Sequence, residues 1–372
     1  MRVVLTGGGT GGHVFPLIAV ARELRQQKTH DCECLYIGVY GGTLAKTISE
    51  AMAKENISTR NIITGKMRRY FSFKNILDAF LFPVGLVQSL WHLLFFMPDV
   101  VFSKGGYAAV PVVIAAFIYR IPILTHDSDA TPGLANKIIG RLAKRIAIAY
   151  PAAKEFFPEE KVVLTGNPLR AEMNQGVAQR AREKYNLTES QPVILVLGGS
   201  LGADAINSAV VRALPEMTAI GQIIHQTGNK HLELVVKGAA QQGVKADRDR
   251  YYPRPFFSRE ELADLFAVSD LVISRAGANT IAEIAANKKP SILIPLKTAA
   301  NNEQRMNAYS IAQVGGTLVL EESNLGPNIL ANKMKKILGD KELSDKMAQN
   351  VAPFHHPDAA ELIARGLIEL AR

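Results

Sequence analysis

Residues Met1 to Gln27 read MRVVLTGGGTGGHVFPLIAVARELRQQ, and the fold turns on the stretch at its centre, GGGTGGH, Gly7 to His13. Before it, Arg2 to Thr6 forms a short apolar strand. After it the pattern is helical, with Phe15, Leu17, Ile18, Val20, Ala21 and Leu24 on one side and Arg22, Glu23 and Arg25 on the other. The glycines therefore occupy a turn between a strand and a helix N-terminus. Free backbone amides and the positive end of the helix dipole favour an anion there, and residues without side chains let it reach the backbone. A phosphate or diphosphate site is expected. Anion binding does not require a histidine, so His13 needs a reason of its own.

With 372 residues the chain exceeds one compact core, and two domains are the simplest division. A composition of 48% hydrophobic and 21% charged residues is that of a folded globular protein and excludes a disordered one. Forty-three Lys and Arg against 34 Asp and Glu leave a charge of +9. That excess suits an anionic partner, whether nucleotide, phospholipid surface or nucleic acid, and equally a well-solvated basic surface. The two cysteines, Cys32 and Cys34, have no second pair to complete a zinc set and read as free thiols in a reducing compartment. Because the first strand begins at Arg2, no secretory leader fits before it, and a cytoplasmic protein is expected.

Ala79 to Met97, AFLFPVGLVQSLWHLLFFM, is uncharged and close to the length that spans a bilayer. Pro83 and Gly85 interrupt it on this reading, and Gln88, Ser89 and His92 recur on one face. Lys66, Arg68, Arg69 and Lys74 lie just upstream, which suits a surface helix docking on anionic lipid. A core helix and a true span remain the alternatives.

Strands and helices alternate along the chain: RVVLT, CLYIG, DVVFS, a helix over Ala108 to Tyr119, PILTH, a helix from Pro132, and RIAIAY. This is the pattern of a parallel sheet wound with helices on both faces. It pauses near KVVLTGNPLR, Lys161 to Arg170, and a polar helix is expected from Ala171 to Tyr185. PVILVLGGSLGADAIN then repeats the opening plan, with Val193 to Leu197 as strand and Gly198, Gly199 and Gly202 in the turn. GQIIHQTG, a polar excursion through Asp247 and Arg250, a helix at Glu260 to Ala267, DLVISRAGANTIAEIAA and SILIPL follow. The last helix, Asp358 to Leu370, is amphipathic and is expected to pack back on the first domain. Two doubly wound domains facing across a cleft would bind ligands at the carboxyl ends of their strands.

Gly7, Gly9 and Gly12 satisfy G-x-G-x-x-G, yet the strand CLYIG ends in Gly38 and Val39 with no carboxylate for a dinucleotide ribose, which disfavours nicotinamide binding. In the second half, Ser200 stands beside one helix N-terminus and Gly277 beside another. Glu283 lies one or two turns into the latter helix, where it can accept from a ribose diol or simply favour the dipole. No basic stripe interleaved with aromatics is visible, so nucleic acid is not expected as a partner.

TGGGTGGH, SKGGYAAVP, TGNPLR, GGSLGA, SRAGANTIAEIAA and NNEQRMNA, in this order and spanning nearly the whole chain, resemble the MurG family. The resemblance implies an α/β fold of GT-B type, two Rossmann-like domains, here expected at residues 1–166 plus 350–372 for acceptor and membrane docking and 167–349 for the UDP-sugar. It implies inverting transfer of N-acetylglucosamine from UDP-N-acetylglucosamine to the C4 hydroxyl of the muramoyl sugar of lipid I, giving lipid II at the cytoplasmic face of the membrane. His13 would be the base, its ordinary pKa suiting proton abstraction, and Asp127 would assist it. Thr10, Gly11, Gly12, Tyr107, Asp129 and Asn307 would serve the acceptor. Arg170, Gly199, Ser200, Gly277, Ala278 and Glu283 would hold the donor, with Phe257 beside the uracil, next to Phe256, and Glu303 and Gln304 at the sugar in the loop ending at Asn307. No cofactor and no metal are expected.

Two departures from the family stand out. Glu303 and Gln304 occupy the place of a glutamine pair, and HDSDATPG occupies that of H-E-x-N. Asp127 and Asp129 have the Asp-x-Asp spacing of a metal site in another transferase fold, but their loop belongs to the acceptor domain and helix dipoles already serve the donor. The alternatives are a related transferase acting on another lipid such as diacylglycerol, a UDP-N-acetylglucosamine epimerase, and a nucleotide-sugar binding protein without turnover.

Overall fold

The structure is a computed structural model describing residues 1–8, 11–27, 32–39, 45–65, 73–169, 171–199, 202–297 and 302–372. The chain divides into two compact units, residues 1–170 with 356–372, and residues 171–355.

In the first unit the strands are β1 (Arg2–Thr6), β2 (Glu33–Gly38), β3 (Ser58–Asn61), β4 (Val100–Ser103), β5 (Ile123–Asp127), β6 (Arg145–Ile148) and β7 (Val162–Leu164). They form one parallel sheet in the order β3-β2-β1-β4-β5-β6-β7. Helices α1 (Gly11–Gln26), α2 (Ala45–Lys54), α3 (Phe73–Phe96), α4 (Ala109–Ile118) and α5 (Leu134–Leu142) make the crossovers. The period of two along each strand sorts the core. Val3, Leu5 and Tyr36 pack under α1 on one face, while Val4, Leu35 and Ile37 pack under α3, α4 and α5 on the other. Strand order reverses between β1 and β4, where Thr6 stands opposite Ser103, so the chain leaves both strands side by side at the point where such sheets bind ligands.

The second unit contains α6 (Ala178–Tyr185), β8 (Val193–Leu197), α7 (Asp204–Ile220), β9 (Gln222–Gln226), α8 (Leu232–Gln241), β10 (Tyr251–Arg254) and α9 (Arg259–Val268). It continues with β11 (Leu271–Ser274), α10 (Ala278–Ala286), β12 (Ser291–Leu293), α11 (Glu303–Ala312), β13 (Leu318–Val319), α12 (Pro327–Leu338) and α13 (Lys341–Val351). Its sheet runs β10-β9-β8-β11-β12-β13, again parallel with a reversal, here between β8 and β11. The final helix, α14 (Ala359–Leu370), returns to the first unit and buries Ile363, Ala364 and Leu367 in the core beneath α1.

Three local expectations are corrected. The polar helix over 171–185 is instead a 3-10 turn at Ala171–Asn174 followed by α6. Gly176 approaches the Ala263 carbonyl too closely for any side chain, and Val177 N–H donates to Asp264 Oδ1 at 2.7 Å, so anchoring on α9 breaks the helix. Pro83 and Gly85 do not interrupt α3. Its Gly85 gives way to the Ile63 carbonyl, which would lie 2.5 Å from a Cβ, and Gln88 Oε1 accepts the Ile63 N–H at 2.7 Å. The polar excursion through Asp247 and Arg250 leads into a strand, β10, paired in register with β9.

α3 buries a polar residue and turns apolar side chains outward. Ser89 is fully buried, whereas Phe80, Val87, Trp91, Leu94 and Phe95 are each more than half exposed. Among the described residues, no helix is long and apolar enough to cross a membrane.

Candidate active site

At the carboxyl end of the first sheet, Lys104 N–H donates to the Thr6 carbonyl at 2.8 Å, which extends the β1 and β4 pairing into the two glycine turns. Three glycines there make way for one imidazole. A Cβ on Gly7 would lie 3.3 Å from His13 Cβ, one on Gly8 would lie 3.1 Å from Nδ1, and one on Gly106 would lie 3.5 Å from Nε2. Gly106 also passes Gly8 so closely, with a φ of +86°, that only glycine fits. His13 thus sits in the first turn of α1, half-buried by accessible area yet deep among protein atoms. Burial first, and the nearby Lys104 charge second, push its pKa down to about 4. At neutral pH the ring is a free base, but the ordinary pKa expected from the sequence is corrected: burial makes this imidazole a weaker base than a solvated one.

Asp127 ends β5 and is 2% exposed. Its Oδ1 accepts the Asp129 N–H at 3.0 Å and its Oδ2 accepts from Asn136 Nδ2 at 2.9 Å. Burial, with help from Asp129, raises its pKa to about 6 against the pull of those bonds and of Lys104. Asp129 and Tyr107 are half-buried, Gly12 is exposed at the start of α1, and Gly11 precedes it as the first residue of that helix. Thr10 lies outside the described residues.

At the corresponding end of the second sheet, Leu197 stands opposite Ser274, and two helices begin just beyond. The N-cap residues of α7 and α10, Ala203 and Gly277, carry no capping side chain, which suits an anion at these helix starts. Gly199, with a φ of +78°, and Gly277 both face open space. Gln226 Nε2 donates to the Gly199 carbonyl at 2.9 Å and fixes the first turn. Ala278 is buried as the first residue of α10, and Glu283 is half-buried in its second turn. Phe257 is only 2% exposed, so its ring belongs to the core and the backbone is what it can offer a ligand, whereas Phe256 is exposed. Glu303 and Gln304 open α11, and Gln304 Oε1 accepts the Leu296 N–H at 3.0 Å. Asn307 is fully buried and donates to the Ala276 carbonyl at 3.4 Å, bracing the turn before Gly277. Arg170 and Ser200 lie outside the described residues.

Three features escape the sequence reading. Lys104 is 2% exposed, with its ammonium on Ser128 Oγ. A lysine ending an apolar strand directly before two glycines was the available signal. Asn136 joins the β4 and β5 loops from a helix that looks unremarkable in sequence. Arg275 pairs with Glu322 at 2.6 Å while Glu322 accepts the Lys297 N–H at 3.1 Å, tying β11 to the loop after β12. Among the described residues, no group of three His, Cys, Asp or Glu is placed to hold a metal ion.

Comparison with known proteins agrees with this arrangement. The glycosyltransferase family 28 N-terminal domain matches residues 3–148 and the family's C-terminal domain matches residues 193–363. The chain is 40% identical over 341 residues to a UDP-N-acetylglucosamine--N-acetylmuramyl-(pentapeptide) pyrophosphoryl-undecaprenol N-acetylglucosamine transferase of Lachnospira eligens, covering 91% of this chain and 92% of that one. The crystal structure of Acinetobacter baumannii MurG superposes with a TM-score of 0.76 at 26% identity over 99% of both chains. A UDP-GlcNAc 2-epimerase from Neisseria meningitidis, bound to UDP-GlcNAc, gives a TM-score of 0.72 at 14% identity over 99% of this chain and 100% of that one, a likeness of fold alone. With two parallel α/β domains of GT-B type matched from end to end, the chain belongs to glycosyltransferase family 28 and, within it, to the MurG family.

Proposed function

We propose that this chain transfers N-acetylglucosamine from UDP-N-acetylglucosamine to the C4 hydroxyl of the muramoyl sugar of lipid I, forming lipid II for peptidoglycan synthesis. The observation that carries the reading is His13, an uncharged imidazole set by three glycines at the switch point of the first sheet. In this mechanism the acceptor hydroxyl gives its proton to His13 as its oxygen bonds to the anomeric carbon. The bond from that carbon to the diphosphate oxygen breaks on the opposite side, UDP departs with the electron pair, and the configuration inverts.

The acceptor diphosphate would lie at the N-terminus of α1, along Thr10, Gly11 and Gly12, with Tyr107 and Asp129 beside it. Asp127, through Asn136, would hold the Gly106 turn against His13. The glycine turn at Gly199 before α7 and the start of α10 at Gly277 and Ala278 suit the UDP diphosphate, with Arg170 and Ser200 adding charge and a hydroxyl. Glu283 would accept from the ribose, Phe257 would meet the uracil through its backbone, Glu303 and Gln304 would read the sugar, and Asn307 would serve the acceptor. Ionised Glu303 accepts but cannot donate, which favours sugar hydroxyls over carbonyls at that position. The outward apolar face of α3 fits peripheral docking at the cytoplasmic face of an anionic membrane.

The test is incubation of the purified protein with UDP-N-acetylglucosamine and either a lipid I analogue or diacylglycerol, following UDP release. Release with lipid I alone is expected, and it should persist in chelator. Release only with diacylglycerol, or formation of an epimer without any acceptor, would overturn the reading.

A further inference from the structure

Six ionisable side chains share the carboxyl end of the first sheet. His13 comes from α1, Lys104 from the turn after β4, His126 and Asp127 from the end of β5, Asp129 from the loop beyond it, and Tyr150 from the end of β6, where it senses Asp129. Lys104, His126 and Asp127 are each at most 2% exposed. Among these described residues, Asp127 and Asp129 supply negative charge and Lys104 positive charge.

The lysine is held in an unusual way. Its ammonium rests on a neutral oxygen, Ser128 Oγ, whose residue lies between the two aspartates in sequence. Its stem and His13 meet at one glycine, since a Cβ on Gly7 would lie 3.4 Å from Lys104 Cβ and 3.3 Å from His13 Cβ. Burying an ammonium is costly, and a side chain present only to fill space would be aliphatic. What an ammonium adds here is its field, which acts on the carboxylates and on the imidazole together.

We propose that Lys104 is a positioning residue that biases the protonation of the acceptor end of the site: its buried charge favours the carboxylate at Asp127 and adds to the effect of burial in disfavouring a proton on His13. The consequence for catalysis rests on His13 being the base. Several trends agree. Lys104 lowers the pKa of His13 and His126 and opposes the rise at Asp127, while both aspartates counter the drop that burial imposes on Lys104, which falls to about 8. Without the ammonium, two neighbouring carboxylates would draw a proton into the site.

The experiment uses the full chain with isotope-labelled histidine, the His13 resonance being assigned through His13→Gln. In Lys104→Met the His13 titration midpoint should rise by about one pH unit, and the acid limb of turnover with the lipid I analogue should move up with it. Adding Asp129→Asn removes an anion as well, so the Asp127 carboxyl, which Asp129 raises and Lys104 lowers, should titrate nearer the parent in the double variant. The Michaelis constant for UDP-N-acetylglucosamine should stay unchanged. An unmoved His13 midpoint overturns the proposal, and a large rise in the acceptor Michaelis constant with that midpoint unmoved would assign Lys104 to direct substrate contact instead. If Lys104→Met does not fold, Lys104→Gln answers the same question. Should His13→Ala retain turnover, the base assignment fails while the imidazole titration still decides the role of Lys104.

Discussion

Asn136 donates its side-chain amide to Asp127 Oδ2 at 2.9 Å. Its own carbonyl oxygen receives the Gly106 N–H at 3.3 Å, and it fills the space where any side chain on Gly105 would have to go. One amide thus links the end of β5 to the turn that packs on His13. Asn136→Ala should cost about 2 kcal/mol of stability, because it removes a hydrogen bond from a buried charged group. The Asp127 carboxyl should titrate at a higher pH still, and turnover should fall. A denaturant midpoint equal to that of the parent would disprove this bracing role.

For His13→Ala, loss of a general base predicts a fall in turnover of about 10²–10⁴-fold. Donor binding should hardly change, since the proposed donor groups other than Arg170 lie in the second unit. Steady-state kinetics with varied UDP-N-acetylglucosamine separate the two, and equal losses in both parameters would make the imidazole structural.

Trp91 and Phe95 meet at a tilt of 54°, with ring centroids 4.6 Å apart, on the exposed face of α3. Replacing both with Ser should weaken sedimentation with anionic vesicles by about tenfold or more, given the apolar area withdrawn. Turnover on a water-soluble acceptor should be untouched. Vesicle binding equal to that of the parent would retire α3 as the docking surface.

Stability should fall as the solution is acidified below neutrality. His13 and His225 are pushed down to about 4 and about 3 from 6.5, chiefly by burial, and His126 lies well below its ordinary value. In this range the unfolded chain takes up protons that the folded one refuses, so their contribution is complete above 6.5 and is lost toward the folded values. Asp127 acts oppositely. Raised to about 6 from 3.8, it favours the folded state at low pH and loses that contribution as pH rises through about 6. Three imidazoles outweigh one carboxyl, so the melting temperature should drop between pH 6.5 and 4, and a flat or rising profile would contradict the assignment.

Much of this molecule can be read from period and punctuation. β1, β4, β5, β8 and β11 are buried runs ending in glycine, Lys-Gly or a polar loop, and each stands out from the polar helices around it. β3 does not. STRN is an edge strand with one paired neighbour and an exposed face, so nothing in its composition marks it as sheet. β10, YYPR, is hidden likewise by an arginine and a proline at the corresponding edge of the second sheet.

The candidate site divides along similar lines. Glycine turns and His13 are local signals, carried by residues adjacent in the chain. Lys104 and Asn136 are not, because their importance comes from groups 24 and 9 residues away that only the sheet brings near. The orientation of α3 was hidden for a related reason. Period alone finds an amphipathic helix but cannot tell which side faces inward when Ser89 and Gln88 find backbone partners at Gly85 and Ile63.

The return of α14 has a consequence for biosynthesis. Residues 171–355 are contiguous, so that lobe has all its parts once its own stretch of chain has emerged from the ribosome. The amino-terminal lobe, although its strands are translated earlier, lacks Ile363, Ala364 and Leu367 until α14 has been made. Vectorial folding therefore runs backwards here, leaving the half that carries His13 the last to close.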